Sequence, residues 1–202
     1  GEFLVQMLNA FGAADSEAAQ YADTIATIRT STTLDFQKMR DSFQYIAPIS
    51  RILGKDLAYT GSVVGILADN SLKAEQAGRL LSTAQIKLAT QGKTLDDALQ
   101  QINKRYEQGA DALEILTLSE ELFGKQASKV GAILAVNTEA IELNAQAIRE
   151  NGGALKDLTD RQLESLDAKL AIVDSAYEKF ILSLDNGNSA LGKFTKNALD
   201  NA

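Results

Sequence analysis

Asp56-Leu57-Ala58-Tyr59-Thr60-Gly61-Ser62-Val63-Val64-Gly65-Ile66-Leu67-Ala68-Asp69 places twelve uncharged residues between two aspartates. Twelve is well short of the about 20 apolar residues that a membrane-spanning helix needs, so the run reads as a buried helix. Ala58, Gly61, Gly65 and Ala68 fall on one face of that helix as a smooth stripe, and Leu57, Val64 and Leu67 form an adjoining apolar ridge. A glycine inside a soluble helix costs about 1 kcal/mol relative to alanine. Two of them call for compensation, and close backbone approach by a neighbouring helix supplies it. The stripe is therefore expected to be a surface for tight helix contact, either inside the fold or in a groove that takes a partner.

Outward from this run the 3.6-residue period persists and sustained alternation is absent. On the N-terminal side, a first run ends at Gly12, and Asp15 is placed to cap a second helix carrying Ala18, Tyr21, Ala22, Ile25 and Ile28. Thr30-Ser31-Thr32-Thr33 breaks that helix, after which Phe36, Met39, Phe43 and Ile46 share a face. Pro48 disfavours helical geometry at Ala47, which predicts a kink or restart before Gly54. On the C-terminal side, Ala77, Leu80, Leu81, Ala84 and Leu88 run to Gly92, and Thr94 with Asp97 makes a capping box for a helix interrupted at Gly109. Thr117 and Glu120 read as a further box. Periodicity resumes from Ala127 to Ile148, with Asn137 and Asn144 on the seam, and halts at Asn151-Gly152-Gly153. Those asparagines either pair across chains to fix register or sit half-solvated at the edge of a wider apolar face.

A last helix starts at Thr159, boxed by Gln162. Its residues Leu163, Leu166, Leu170, Val173, Tyr177, Phe180 and Leu184 step 3-4-3-4-3-4. That spacing suits a coiled coil between chains or an antiparallel bundle within one. The turn composition Asp185-Asn186-Gly187-Asn188-Ser189 ends it. The fold class expected is all-α, a helical bundle of about eight to ten helices with a long heptad-patterned C-terminal helix.

Composition narrows the function. The 202 residues include no Cys, no His, no Trp and one Pro, with a net charge of −7. Disulfides, thiolate nucleophiles, Ser-His and Cys-His catalysis and the usual zinc and iron sites are thereby excluded. Residues 1–92 carry 8 Lys/Arg against 9 Asp/Glu, and residues 93–202 carry 12 against 18, so no basic footprint for nucleic acid is present. No secretion signal and no membrane segment is visible. Gly1-Glu2-Phe3 reads as a cloning scar on an excised fragment. Gly92-Lys93-Thr94 imitates the end of a phosphate-binding loop, but Lys87 stands where that loop needs glycine. The pairs Asp96-Asp97 and Glu120-Glu121 read as first-turn acids that complement the helix dipole. Nothing combines a nucleophile, a base and an orienting group, so the chain is read as a non-enzyme without cofactor or metal.

Between Leu8 and Leu88 the sequence also contains a recognisable series. Phe11-Gly12 is followed by Ser16-Glu17-Ala18-Ala19-Gln20-Tyr21-Ala22-Asp23, then Phe43-Gln44-Tyr45-Ile46-Ala47-Pro48-Ile49 and Ile52-Leu53-Gly54. Leu57-Ala58, Gly65-Ile66-Leu67-Ala68-Asp69 and Glu75-Gln76-Ala77-Gly78 complete it. In order and spacing these pieces resemble the core region of phage tail tape-measure proteins. Ser175-Ala176-Tyr177-Glu178-Lys179-Phe180-Ile181-Leu182-Ser183 is similar to the segment that closes this core. Two places depart from the pattern: Ser71 replaces the usual glycine in the turn before Lys73, and Gly78-Arg79-Leu80-Leu81 differs from the usual Gly-Thr-x-Leu. Residues 93–160 share only helical character.

The resemblance implies a structural protein of a tailed phage or prophage, acting as length ruler and scaffold inside the tail tube during assembly. It implies the tail tube protein, tail assembly chaperones and tail tip proteins as partners. The heptad seam itself, from Leu163 to Leu184, is expected to serve either self-association or bundle closure. The expected location is the lumen of the virion tail, and the host cytoplasm during assembly. The chain divides into a tape-measure core-like region (1–92), a helical continuation (93–158), and the heptad helix with its tail (159–202). A rival reading is a cellular helical adaptor or coiled-coil interaction protein sharing only the periodicity.

Overall fold

In the computed structural model, residues 1–150 are described, and among them nine α-helices and two short 3-10 turns occur with no strand. Helix α1 (Glu2–Phe11) closes at Gly12, whose φ of 68° lets Ala13 N–H reach Leu8 O at 2.9 Å. Phe3 is buried there, its ring 6.4 Å from that of Phe43. Asp15 does not cap the next helix. It lies inside a 3-10 turn (Asp15–Glu17), and the Glu17 carboxylate accepts the Ala14 N–H at 2.7 Å. Helix α2 (Ala18–Ser31) ends in the hydroxyl-rich stretch, where Thr32 Oγ1 donates to Ile28 O at 2.7 Å and Thr32 itself is extended.

Helix α3 (Phe36–Ile52) is capped by Asp35, which accepts the Lys38 N–H at 2.8 Å. Met39, Phe43 and Ile46 are buried, but Phe36 is exposed under the Arg29 guanidinium, 4.8 Å from its ring centroid. Pro48 neither ends nor restarts the helix. Its missing N–H costs one intrahelical bond, while burial of Ile46, Ala47 and Ser50 on either side holds the helix together through it. Helix α4 (Leu57–Asp69) follows, capped by Asp56. The turn after it puts Ser71 at φ 65°, a left-handed conformation that favours the glycine expected at this position.

Helix α5 (Ala74–Thr90) stops before Gly92, and α6 (Leu95–Glu107) begins with the Thr94–Asp97 capping box. Helix α7 (Ala112–Phe123) is boxed by Asp111 and Glu114, not by Thr117 and Glu120. Thr117 lies mid-helix with its hydroxyl on Leu113 O, and Glu120-Glu121 fall in the last turn instead of the first. There the Lys87 ammonium donates to the Glu120 and Glu121 carbonyls, at 3.4 and 2.9 Å, and offsets the misplaced acids. After a 3-10 turn (Lys125–Ala127), the stretch expected to continue to Ile148 is split into α8 (Ser128–Val136) and α9 (Thr138–Arg149). Asn137 makes the break. It is buried within the chain, and its side chain donates to Ile133 O at 2.8 Å, so it does not sit at a solvated edge. Asn144 is half-buried.

Helices α3 and α5 make the most extensive pair, antiparallel with Ser42 opposite Gly78 and Tyr45 opposite Glu75. Helix α4 occupies the centre, in contact with α2, α3, α5, α8 and α9, and its residues from Leu57 to Leu67 are all buried. One apolar core runs through every helix, with Phe43, Leu67, Leu99 and Ile133 among its fully enclosed members. The heptad helix lies outside the described residues.

Candidate functional site

The smooth face of α4 is covered from within the fold. A Cβ on Gly65 would stand 2.5 Å from Thr32 Cγ2, and one on Gly61 would stand 2.6 Å from Ile28 Cγ1. Ile28 lies in α2, and Thr32 is the residue that caps its C-terminal end. Ala58 is buried and Ala68 half-buried, so α2 occupies the stripe at its glycines. The second candidate surface, Leu163, Leu166, Leu170, Val173, Tyr177, Phe180 and Leu184, lies outside the described residues. Two further close approaches went unread in the sequence. A Cβ on Gly78 would lie 2.7 Å from Ser42 C and Cα, and one on Gly131 would lie 2.5 Å from Phe123 Cδ2. Each glycine sits inside a helix, so the cost that flags Gly61 and Gly65 flags these as well.

The other feature that sequence reasoning missed is a polar cluster at the N-terminus of α4. Asp56 Oδ1 accepts the Tyr59 N–H at 2.8 Å, and the same carboxylate receives Arg149 from α9, Nε to Oδ2 at 2.7 Å and Nη2 to Oδ1 at 3.3 Å. Arg149 Nη1 also reaches Glu142 at 3.2 Å. Beside it, Lys55 Nζ lies 2.7 Å from Asp96 Oδ2, and the Tyr59 hydroxyl donates to Asp96 Oδ1 at 2.9 Å. Partial burial works to raise the Asp56 pKa, but the Arg149 hydrogen bonds, the Tyr59 N–H and the Arg149 and Lys55 charges outweigh it and hold the carboxyl below its ordinary value. Burial, then the Asp96 charge and hydrogen bond, push the Tyr59 hydroxyl well up. These residues join the start of α4 to the start of α6 and the end of α9. Asp96 is thus more than a first-turn acid.

A shallow apolar depression of 380 Å³ lies at the α6–α7 corner, lined by Tyr106, Gly109, Ala110, Asp111, Ile115 and Leu116. Among the described residues no group of three or more His, Cys, Asp or Glu side chains could hold a metal ion. No helix among them is long and apolar enough to cross a membrane. What the described residues offer is packing surfaces, and the chain's relatives decide how to read them.

Residues 1–171 match the family described as phage-related minor tail protein. The chain belongs to that family. Two relatives of this minor tail chain carry the more specific description. It is 24% identical over 198 residues to the tape measure protein of Pneumococcus phage Dp-1, covering 88% of this chain and 17% of that protein. It is 26% identical over 224 residues to the probable tape measure protein of Escherichia phage P2, covering 96% of this chain and 27% of that protein. The minor tail chain therefore spans about a quarter or less of the length of these relatives. No solved structure matches it. The family match does not favour the rival reading as a cellular adaptor.

Proposed function

We propose that this chain is a segment of a tape-measure protein, a structural component that sets tail length and scaffolds the tail tube from inside during assembly. The observation that carries the reading is the family match over residues 1–171, together with two relatives described as tape measure proteins. Helical chain supports it physically. A helix rises 1.5 Å per residue, so residue number converts directly into distance. Laid end to end as helix, 202 residues span roughly 300 Å, whereas a 150-residue bundle has a radius of gyration of roughly 15 Å. The bundle is then a compact form of a chain whose measuring form is extended, and no catalytic step is assigned to it.

On this reading the tail tube protein polymerises around the extended chain, tail assembly chaperones hold it beforehand, and tail tip proteins anchor one end. The chain lies in the tail lumen of the virion and in the host cytoplasm while tails are built. The stripe Ala58, Gly61, Gly65 and Ala68 serves close helix contact, and the seam from Leu163 to Leu184 serves self-association. Replacing Leu170→Asp together with Phe180→Asp then yields monomers by light scattering, and an unchanged mass would remove the self-association. Quantitative mass spectrometry of tails purified from the encoding phage tests the location. Peptides from this chain are expected in assembled tails, and tails lacking them would contradict the reading.

A further inference from the structure

Helices α8 and α9 are separated by one residue and no loop. Asn137 takes φ −112° and ψ 16°, its N–H donates to Leu134 O at 3.0 Å, and Ile141 N–H returns to Asn137 O at 3.0 Å. No glycine or proline stands between Ala132 and Asn151. The apolar spacing Val130, Leu134, Ile141 and Ile148 runs through the break without a slip, so both helices share one helical register. The bend is therefore imposed by the fold, through the Asn137 side chain and through what holds α9 down.

Helix α9 packs on α4 as the second most extensive helix pair in the fold, but largely through small side chains. Its buried residues are Ala140, Ile141, Ala145, Ala147 and Ile148, three of them alanines with little area to bury. Ser62 Oγ donates to Ile141 O at 2.8 Å, tying the middle of α9 to α4. At the far end Arg149 closes on Asp56, with the two side chains 39% and 51% exposed, so the contact that ends the helix is open to water. The charged and titratable groups around Asp56 are Arg149 and Glu142 from α9, Lys55 from the preceding turn, Tyr59 and Asp96 beside it, and Tyr21 from α2.

We propose that α9 is a hinged strap, turning at Asn137 and held shut over α4 by the Arg149–Asp56 clasp, which opens as a unit while α3 and α5 stay packed. Released, α8 and α9 can join into one 22-residue helix of roughly 33 Å, because their register is already continuous. The inference stands on the bundle's geometry and not on the ruler reading, so either can fail without the other.

Hydrogen exchange with mass spectrometry on the full chain at neutral pH tests it. Asp56→Asn keeps an acceptor for the Tyr59 N–H, since asparagine is as good a helix cap as aspartate, and removes only the charge. Arg149→Gln breaks the same clasp from the other side. In each variant, amides of 138–149 should exchange about two- to fivefold faster, the size expected for a largely exposed ion pair, while 36–52 and 74–90 are unchanged. The double variant should be no faster than either single one. Equal acceleration in all helices, no change in 138–149, or multiplication of the two effects in the double variant would each overturn the strap.

Discussion

Replacing Gly78→Ala probes the closest backbone approach in the bundle. The new Cβ would stand 2.7 Å from both C and Cα of Ser42 and closer still to the Ser42 carbonyl oxygen. These are backbone atoms of α3, held by the most extensive helix pair in the fold, so no side chain can rotate away. The helices must part by at least 0.7 Å, the gap between 2.7 and 3.4 Å for C and Cα, and the nearer carbonyl oxygen demands more. Alanine gains about 1 kcal/mol of helix propensity. Overpacking a rigid site costs about 1–3 kcal/mol, and a backbone obstacle belongs in the upper part of that range. The net is a loss of about 1–2 kcal/mol, which for a chain of this size lowers Tm by roughly 2–8 °C. Gly61→Ala is the comparison, because its obstacle is the buried side chain of Ile28, Cγ1 included, and not backbone, so it too should lose stability, but less than Gly78→Ala. Thermal unfolding followed by far-UV circular dichroism reads both. A Gly78→Ala protein as stable as wild type, or more so, would refute backbone-to-backbone packing of α3 on α5.

Ser71→Gly should stabilise the chain by about 0.5–1 kcal/mol, because Ser71 holds φ 65° in the α4–α5 turn, and a Tm at or below wild type would contradict the strain argument. Gly131→Ala should destabilise by about 1–2 kcal/mol in urea titration, since the added methyl meets the buried Phe123 ring at 2.5 Å and the propensity gain offsets about 1 kcal/mol of that. The depressed Asp56 pKa gives stability that is complete well above its ordinary value of 3.8 and is lost as pH falls through the lower, folded value. Wild type should therefore exceed Asp56→Asn in urea midpoint at neutral pH, and the difference should vanish in acid below that window. A difference that persists or grows there would reverse the sign.

Helix ends were the most legible part of the sequence, because local backbone chemistry decides them. Gly12, Gly92 and Gly109 stop helices, and Thr94 with Asp97 starts one, as their residue types require. Local rules misled where tertiary burial overrode them. Pro48 rides inside α3 because residues around it are buried, and Asn137 breaks a helix whose apolar register is continuous. Thr117 and Glu120 match the same capping pattern as Asp111 and Glu114, and the stop at Gly109 gives the earlier pair priority. The cost of Gly61 and Gly65 pointed to close approach, but not to α2 as the element that fills the stripe. The clasp was not legible at all. Asp56 and Arg149 are 93 residues apart, and only the packing of α9 on α4 brings them together.

The ruler reading is tested most directly by the length of tails from the encoding phage after removal of residues 163–183 from its full-length protein. Those 21 residues are three heptads, so the remaining seam keeps its register. If the segment is extended helix in the tail, electron microscopy will find tails shorter by about 30 Å, at 1.5 Å for each residue removed. Tails of unchanged length would contradict the claim that this chain measures the tube.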